Sequence, residues 1–150
     1  WPAEKLGVEW GTVGRHLFRK YNNSTGKGWI IEQNANTGKM RFYVSDTTGT
    51  SAWTDFSDTG FEDGNKRIIC ATASSGAVST YVNGDAANTG TYTHSGGFAT
   101  GEPIVLGGRN NGNNAAEMVV SAIRIYNAIP SDSDRNAIIA ALKSYYGVIY

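Results

Sequence analysis

Apolar and polar side chains alternate along several short segments of the chain. The clearest alternation covers residues 39–45, where Met40, Phe42 and Val44 are separated by polar or aromatic residues. A period of two places these three side chains on one face of a strand, and that face is expected to be buried. Residues 28–33 form a second candidate strand, and the link between the two segments, which contains Asn and Gly, predicts a hairpin.

Further strands are predicted along the chain. Residues 67–72 are apolar on both faces, which is typical of a central strand that is covered on both sides. A strand over residues 78–82 ends at Asn83 and Gly84, a pair that favours a two-residue hairpin turn. The other predicted strands cover residues 52–56, 91–93, 103–108 and 118–126.

One helix is predicted near the end of the sequence. Ser131 follows Pro130 and can cap the first turn of a helix, and Gly147 is suited to end it. The apolar residues of this segment recur at helical spacing and are Ile138, Ala141, Leu142 and Tyr145. We therefore expect one short amphipathic helix that lies against β structure.

Composition agrees with this pattern. The 150 residues include 19 glycines, and 17% of the residues are charged, whereas average proteins have about 7% glycine and about 25% charged residues. Glycine and asparagine are frequent in tight turns, so the composition favours many short strands. The length is that of a single domain.

Charge and cysteine content exclude several classes of protein. The chain has 13 basic and 13 acidic side chains, so its formal net charge is zero, and this balance argues against nucleic-acid binding. No apolar run approaches the roughly 18 residues that cross a bilayer, so membrane insertion is not expected. Cys70 is the one cysteine; it cannot form an internal disulfide and is expected to be a small buried residue.

Several segments together resemble a known family. The apolar strand at 68–72 is followed by Tyr-Val-Asn-Gly at 81–84, Ile-Val-Leu-Gly-Gly at 104–108 and Ile-Arg-Ile-Tyr-Asn at 123–127. In order and spacing these segments resemble the laminin G-like jelly rolls of the concanavalin A-like lectin/glucanase superfamily. The tail at 141–148 is similar to the ending of a subgroup often attached to bacterial surface proteins, polysaccharide-degrading enzymes and phage virion proteins.

The resemblance implies an all-β fold, a two-sheet antiparallel jelly-roll sandwich with one short C-terminal helix. It covers residues 28–148, so residues 1–150 are expected to form a single laminin G-like domain, the C-terminal domain of a longer chain. The early strands of the family would have to come from residues 6–18, which show no regular pattern.

The same resemblance indicates what an enzyme would need. Members that hydrolyse β-glucans carry Glu-x-Asp-x-x-Glu on one strand, where alternation puts the carboxylates on one face. This chain has no such sequence; Glu62 and Asp63 are adjacent and would point apart. We expect no catalytic residue and no enzymatic activity. If activity were found, Glu32 and Glu117, on predicted strands, would be the first carboxylates to mutate.

No metal or cofactor is predicted, because His16 and His94 are far apart and have no neighbouring ligand at suitable spacing. Calcium is an alternative, since relatives often bind it and it requires oxygen donors. One loop carries four acidic residues, namely Asp55, Asp58, Glu62 and Asp63.

Binding of a glycan would need aromatic rings to stack on sugars and planar polar groups to pair with hydroxyls. The candidate residues are Arg41, Tyr43, Trp53, Tyr92, Arg109, Asn111 and Asn113, with Asn110 in the same loop. The alternative for Trp53 is that it covers an edge of the core, and the alternative for the loop is a simple turn.

Two functions follow from the resemblance and the missing catalytic triplet. The first is a non-catalytic, lectin-like domain that binds a glycan or polysaccharide in an extracellular location, on a cell surface or a virion. The second is a structural one, a phage decoration or tail domain whose outward aromatic residues contact other virion or surface-protein subunits.

Overall fold

The computed structural model describes residues 15–34, 37–57, 65–85, 88–98, 101–108 and 119–148. Over these residues the chain forms strands followed by a helix. The elements are β1 (His16–Asn22), β2 (Lys27–Gln33), β3 (Met40–Ser45), β4 (Ser51–Asp55), β5 (Ile69–Ser74), β6 (Gly76–Val82), β7 (Asn88–Tyr92), β8 (Val105–Leu106) and α1 (Asp132–Tyr146).

The strands form two antiparallel sheets. One sheet has the order β4-β3-β2-β1-β8, and the other has the order β5-β6-β7. From β1 to β4 and from β5 to β7, strands that follow one another in the chain pair antiparallel, and β8 returns to pair with β1. The predicted all-β sandwich of two antiparallel sheets with one C-terminal helix is confirmed.

The core lies between the two sheets. The alternation in β3 is confirmed, because Met40, Phe42 and Val44 are all buried there. The remaining core residues come from both sheets and are Ala52, Phe56, Val78, Val82 and Tyr92. Burial of such side chains is worth about 1.5–3 kcal/mol each, so this cluster holds the sheets face to face.

Side chains of the three-stranded sheet donate hydrogen bonds to the backbone of β4. The carbonyl oxygen of Asp55 accepts hydrogen bonds from Thr80 Oγ1 at 2.9 Å and from Asn88 Nδ2 at 3.0 Å. Nearby, Gly90 lies so close to β4 that a Cβ atom there would be 2.8 Å from the carbonyl oxygen of Trp53. The position of β4 therefore depends on β6 and β7.

A buried carboxylate joins two loops at one end of the sandwich. Asp46 accepts hydrogen bonds at Oδ1 from the Thr48 backbone (2.9 Å), the Thr48 hydroxyl (2.7 Å) and the Thr50 backbone (3.0 Å). Its Oδ2 accepts from the backbones of Ser95 (3.1 Å) and Gly96 (3.2 Å). Burial alone would raise the pKa of this carboxyl, but these hydrogen bonds outweigh burial and hold the pKa well below its usual value.

The predicted helix ends are confirmed, and Asn83 and Gly84 form a turn with φ angles of 55° and 89°. β7 begins only at Asn88, so this turn belongs to a longer connection and is not the two-residue hairpin that the sequence predicts. The Ser131 hydroxyl accepts from the Asp134 backbone at 3.1 Å, and Gly147 ends the helix in a left-handed conformation. No helix in the described part of the chain is long and apolar enough to span a bilayer.

The predicted buried side of α1 is correct only in part. Ile138 and Leu142 are half-buried, but Ala141 and Tyr145 are exposed, and the buried residue of the helix is Ile139. Arg135 lies over the ring of Tyr81 at 4.1 Å and donates to its hydroxyl at 3.2 Å. The helix is therefore oriented by Arg135 and Ile139, which contact β6 and the turn after it, and the 3.6-residue period of the apolar residues did not reveal this.

Three strand predictions need correction. The segment predicted as a central strand forms β5, which is half-buried because it lies at a sheet edge. The segment 103–108 contributes only the two residues of β8, and Leu106 is exposed. Residues 119–126 form no strand and are exposed throughout; their β-branched residues favour extended structure, but a strand also needs a hydrogen-bonded partner.

Candidate functional site

The outward side of the five-stranded sheet collects polar and aromatic side chains. Phe42 points into the core, so alternation turns its neighbours Arg41 and Tyr43 away from it. Arg41 is paired with Asp55 on β4, and Tyr43 is paired with Trp53. These four residues therefore share the side of the sheet that faces away from the core, here called the outer face.

A row of charged side chains crosses the outer face. In register order across the strands the row is His16, Glu32, Arg41 and Asp55. Glu32 Oε2 lies 3.4 Å from His16 Nε2, and Asp55 Oδ1 lies 3.6 Å from Arg41 Nε. The Glu32 and Asp55 side chains are 22% and 24% exposed, so both side chains are partly accessible, although Asp55 Oδ1 itself is buried.

Arg19 lies in the neighbouring row of the same face, in register with Tyr43 and Trp53, and is buried. It donates from Nη1 to His16 Nδ1 at 3.1 Å and to Asn23 Oδ1 at 3.2 Å, and from Nη2 to the carbonyl oxygen of Tyr21. Arginine has only donors, so His16 Nδ1 accepts and the imidazole proton lies on Nε2, the atom that faces Glu32. The three side chains thus form a chain of polar contacts that orients Glu32.

Three aromatic rings lie beside the charged row. Tyr21 on β1 contacts Tyr43 on β3 edge to face, with ring centroids 5.7 Å apart. Trp53 lies next to Tyr43 on β4, and the Arg41 guanidinium is 4.6 Å from the centroid of its ring. Trp53 is still 53% exposed, so a large part of the indole remains available to a ligand.

The hydroxyl of Tyr21 stays protonated over the physiological range. Burial is the largest effect on Tyr21 and raises its pKa to about 12, and the charge and hydrogen bond of the neighbouring Tyr43 act in the same direction. The charge of Glu32 also raises this pKa, whereas the charge of Arg19 lowers it. Tyr21 can therefore donate a hydrogen bond from this face at neutral pH.

A row of small residues lies in register with Tyr21, on the side of Tyr43 and Trp53 away from the charged row. Gly28 pairs with Tyr21 and with Ser45, and Ser45 pairs with Ser51. Gly28 has a φ of 117°, and a Cβ atom there would collide with the Lys20 backbone. The row is about 7 Å along the strands from Tyr43 and Trp53. Of these small residues, Gly28 and Ser45 are buried and Ser51 is exposed.

The structure brings together Arg41, Tyr43 and Trp53 from the predicted set. The prediction for Tyr92 is wrong as far as exposure is concerned, because the register of β7 turns its side chain into the core. There the ring stacks on Phe98 with centroids 5.9 Å apart. Arg109, Asn111 and Asn113 lie outside the described residues.

Sequence reasoning did not place Tyr21, His16 or Glu32 in a binding site. β1 contains a bulge between His16 and Phe18, so its side chains do not follow a simple alternation. Glu32 sits on a correctly predicted strand, but only the pairing with Arg41 shows that it joins the same face. The register between strands was the missing information.

The calcium alternative involved Asp55, which the structure pairs with Arg41. Asp58, Glu62 and Asp63 lie outside the described residues. Within the part of the chain that is described, no group of three or more His, Cys, Asp or Glu side chains is placed to hold a metal.

Comparisons with known proteins address the family of the chain. No curated protein matches the sequence. The crystal structure of an S-layer domain-containing protein (residues 221–444) from Clostridium thermocellum ATCC 27405 matches with a TM-score of 0.39 and 12% identity; the match covers 87% of this chain and 64% of that one. A family model matches residues 8–134. The chain belongs to this family, a laminin G-like family of the concanavalin A-like lectin/glucanase superfamily.

Proposed function

We propose that the protein is a non-catalytic carbohydrate-binding domain whose outer face holds a glycan or polysaccharide outside the cell. The observation that carries the proposal is the exposed indole of Trp53, set beside Tyr43 and packed against the guanidinium of Arg41. Such rings stack on the apolar face of a pyranose. Planar charged groups such as Arg41 and Asp55 pair with adjacent hydroxyls.

The residue between the carboxylates favours binding over hydrolysis. Glu32 and Asp55 lie on β2 and β4, and Arg41 of β3 stands in register between them. A glycosidase needs two carboxyl groups that flank one glycosidic bond. Here the intervening position is filled by Arg41, which is paired with Asp55.

A glycan array that identifies sugars bound by the protein, followed by titration of the protein with those sugars, tests the proposal. Trp53→Ala is expected to weaken binding at least about tenfold, which corresponds to about 1.4 kcal/mol. Tyr145→Ala removes an aromatic residue on α1 that is even more exposed than Trp53 and should leave the affinity unchanged. A blank array at millimolar sugar, or equal loss in both variants, would contradict the proposal.

A second candidate function is assembly with other surface or virion subunits. It is favoured by the exposed apolar residues of segment 119–129, among which Val119 is 96% exposed. Exposed apolar surface of this kind is typical of contact surfaces between proteins. Light scattering over a range of concentrations distinguishes the two: a stable oligomer that binds no sugar would favour assembly, and a monomer that binds sugar would favour the lectin-like function.

A further inference from the structure

We infer, on the basis of the proposed carbohydrate-binding function, that Asp55 is a positioning residue of the outer face. Its carboxylate holds the guanidinium of Arg41 against the indole of Trp53, so that the ring is oriented before a sugar arrives. Asp55 thus contributes to sugar binding mainly through Arg41 and Trp53.

The main chain fixes the place of the Asp55 carboxylate. The carbonyl oxygen of Asp55 accepts hydrogen bonds from Thr80 Oγ1 at 2.9 Å and from Asn88 Nδ2 at 3.0 Å. Both donors belong to the three-stranded sheet, so the end of β4 is held by the second sheet as well as by its pairing with β3. Because an aspartate side chain is short, a fixed main chain leaves its carboxylate few positions.

The ion pair between Arg41 and Asp55 is partly buried. Arg41 Nε lies 3.6 Å from Asp55 Oδ1, and the two side chains are 17% and 24% exposed. Both atoms are themselves buried, and over the described residues neither has a hydrogen-bond partner. The two charges therefore compensate each other, because a buried charge that has lost its opposite charge is strongly disfavoured. Burial also protects the pair from screening by salt.

The same guanidinium contacts both Asp55 and Trp53. Arg41 is directly opposite Asp55 in the pairing of β3 with β4, and Trp53 lies two residues away along β4, so Arg41 and Trp53 are diagonal neighbours on one face. Nε is the guanidinium nitrogen nearest the stem, and a contact there restricts rotation of the guanidinium plane. With this end paired to Asp55, Arg41 Cζ lies over the Trp53 ring at 4.6 Å from its centroid.

This contact orients the indole and leaves much of it accessible. A cation over an aromatic ring is attractive, and it narrows the range of orientations open to a side chain on an edge strand. More than half of Trp53 is still exposed, so the ring can stack on a ligand while Arg41 lies over it. A ligand that meets a preoriented side chain loses less conformational entropy on binding. Asp55 therefore favours binding by keeping Arg41 in place.

NMR spectroscopy of the protein without a ligand tests the positioning role. The ring current of Trp53 should shift the δ-methylene protons of Arg41 upfield, and Trp53→Ala identifies this shift because it removes the ring. Asp55→Asn removes the charge of the side chain but keeps the main-chain carbonyl that the other sheet holds. It should reduce the upfield shift by at least half.

The matched control is an equivalent group of side chains that involves α1. Asp132 Oδ1 lies 2.6 Å from Arg135 Nη1, and the Arg135 guanidinium lies over the ring of Tyr81. Asp132→Asn therefore also removes a carboxylate that pairs with a stacked arginine. It should leave both the Arg41 shift and the affinity for sugar unchanged.

Titration with the sugar that binds the wild type most tightly on the glycan array connects the positioning role to binding. Asp55→Asn should raise the dissociation constant about threefold to fivefold, as expected for the loss of one contact between a cation and a ring. In an Arg41→Gln background the same change should alter the dissociation constant less than about twofold, because Asp55 has no guanidinium left to orient. This second comparison leaves no unpaired arginine and does not depend on the folding of Asp55→Asn alone. Circular dichroism and thermal unfolding show which variants fold.

The outcomes separate this inference from the proposed function. An Arg41 shift that is unchanged in Asp55→Asn would overturn the positioning role and leave the outer face as a sugar site. A loss of affinity of more than about twofold in the Arg41→Gln background would do the same, because Asp55 would then act without Arg41. Failure of every array sugar to bind would overturn the carbohydrate-binding function, and the role of Asp55 in it, whatever the NMR spectra show.

Discussion

The Thr80 hydroxyl on β6 donates a hydrogen bond to the carbonyl oxygen of Asp55 on β4, with 2.9 Å between the two oxygens. Thr80 is buried between the sheets, and Asn88 on β7 donates to the same carbonyl. β4 is the edge strand of its sheet, and an edge strand has a ladder of hydrogen bonds on one side only. The three-stranded sheet therefore fixes the strand that carries Trp53.

Thr80→Val should weaken both the fold and the site. The substitution keeps the shape of the side chain but removes the donor to Asp55, which is expected to cost about 1–2 kcal/mol of unfolding free energy. The loss should appear as a lower midpoint of urea unfolding, while the dependence of the unfolding free energy on urea concentration stays unchanged. Thr89→Val serves as the control, because Thr89 is exposed and its hydroxyl contacts Ser79 on the outside of the sheet. Equal midpoints for the two variants would show that the inter-sheet hydrogen bond contributes nothing.

Gly90→Ala should move β4 away from β7. The new Cβ atom would lie 2.8 Å from the Trp53 carbonyl oxygen and 3.3 Å from Val78 Cγ2, and overpacking of this kind typically costs about 1–3 kcal/mol. Because the clash is with the backbone of β4, the displaced strand should also change the fluorescence of Trp53.

The matched change is Gly101→Ala, where a Cβ atom would meet nothing within 4 Å. It should leave both the thermal midpoint and the emission spectrum unchanged. A Gly90→Ala protein as stable as Gly101→Ala would mean that the close approach of β7 to β4 does not constrain the sandwich.

Local pattern was sufficient to predict part of the site. The alternation in β3 placed Phe42 inside and Arg41 and Tyr43 outside, because neighbouring side chains of a strand must point to opposite faces. The same reasoning could not tell that Tyr43 pairs with Trp53. That pairing depends on the register between β3 and β4, which is a property of two strands and the turn between them.

Two aromatic residues in polar segments show the limit of local reasoning. Tyr92 and Trp53 both appear in Thr-rich stretches and looked equally available to a ligand. The register of β7 opposes Tyr92 to Gly76 on the core side, whereas Trp53 points outward. Tyr21 was missed for a related reason, since the bulge in β1 after His16 shifts the faces of the residues that follow.

Asp46→Asn should destabilise the protein at neutral pH and remove part of its acid sensitivity. The pKa of Asp46 is lowered in the folded state from the ordinary value of 3.8, because the hydrogen bonds from Thr48, Gly96 and Ser95 outweigh the effect of burial. Its stabilising contribution is therefore fully present above about pH 4 and is lost as the pH falls further. The amide accepts at only one atom, so the thermal midpoint at pH 7 should fall by several degrees.

Thermal unfolding between pH 7 and pH 2 measures this effect. The wild-type midpoint should fall more steeply below pH 4 than that of Asp46→Asn, so that the two curves converge in acid. Asp85→Asn, at an exposed position after β6, should follow the wild-type curve. Parallel curves for wild type and Asp46→Asn would contradict the role assigned to the carboxylate.

Tyr92→Phe should make the protein more resistant to alkali at little cost at neutral pH. Burial, with smaller contributions from the charges of Asp46 and Tyr43, raises the pKa of Tyr92 from 10.0 to about 12. The stability associated with the neutral phenol is fully present below pH 10 and is lost as the pH rises towards 12, because the unfolded chain ionises first. Over the described residues the buried hydroxyl has no hydrogen-bond partner, so its removal should change the unfolding free energy at pH 7 by less than about 1 kcal/mol.

Urea unfolding at pH 7 and pH 11 checks the prediction for Tyr92. The drop in unfolding free energy between the two values should be smaller in Tyr92→Phe than in wild type. Tyr21→Phe should also reduce the drop, because the pKa of Tyr21 is likewise about 12, and the double variant should show the smallest drop. Unlike Tyr92→Phe, Tyr21→Phe removes a donor from the outer face, so only Tyr21→Phe should weaken sugar binding. An unchanged drop in Tyr92→Phe would mean that the phenol ionises in the folded protein as easily as in the unfolded chain.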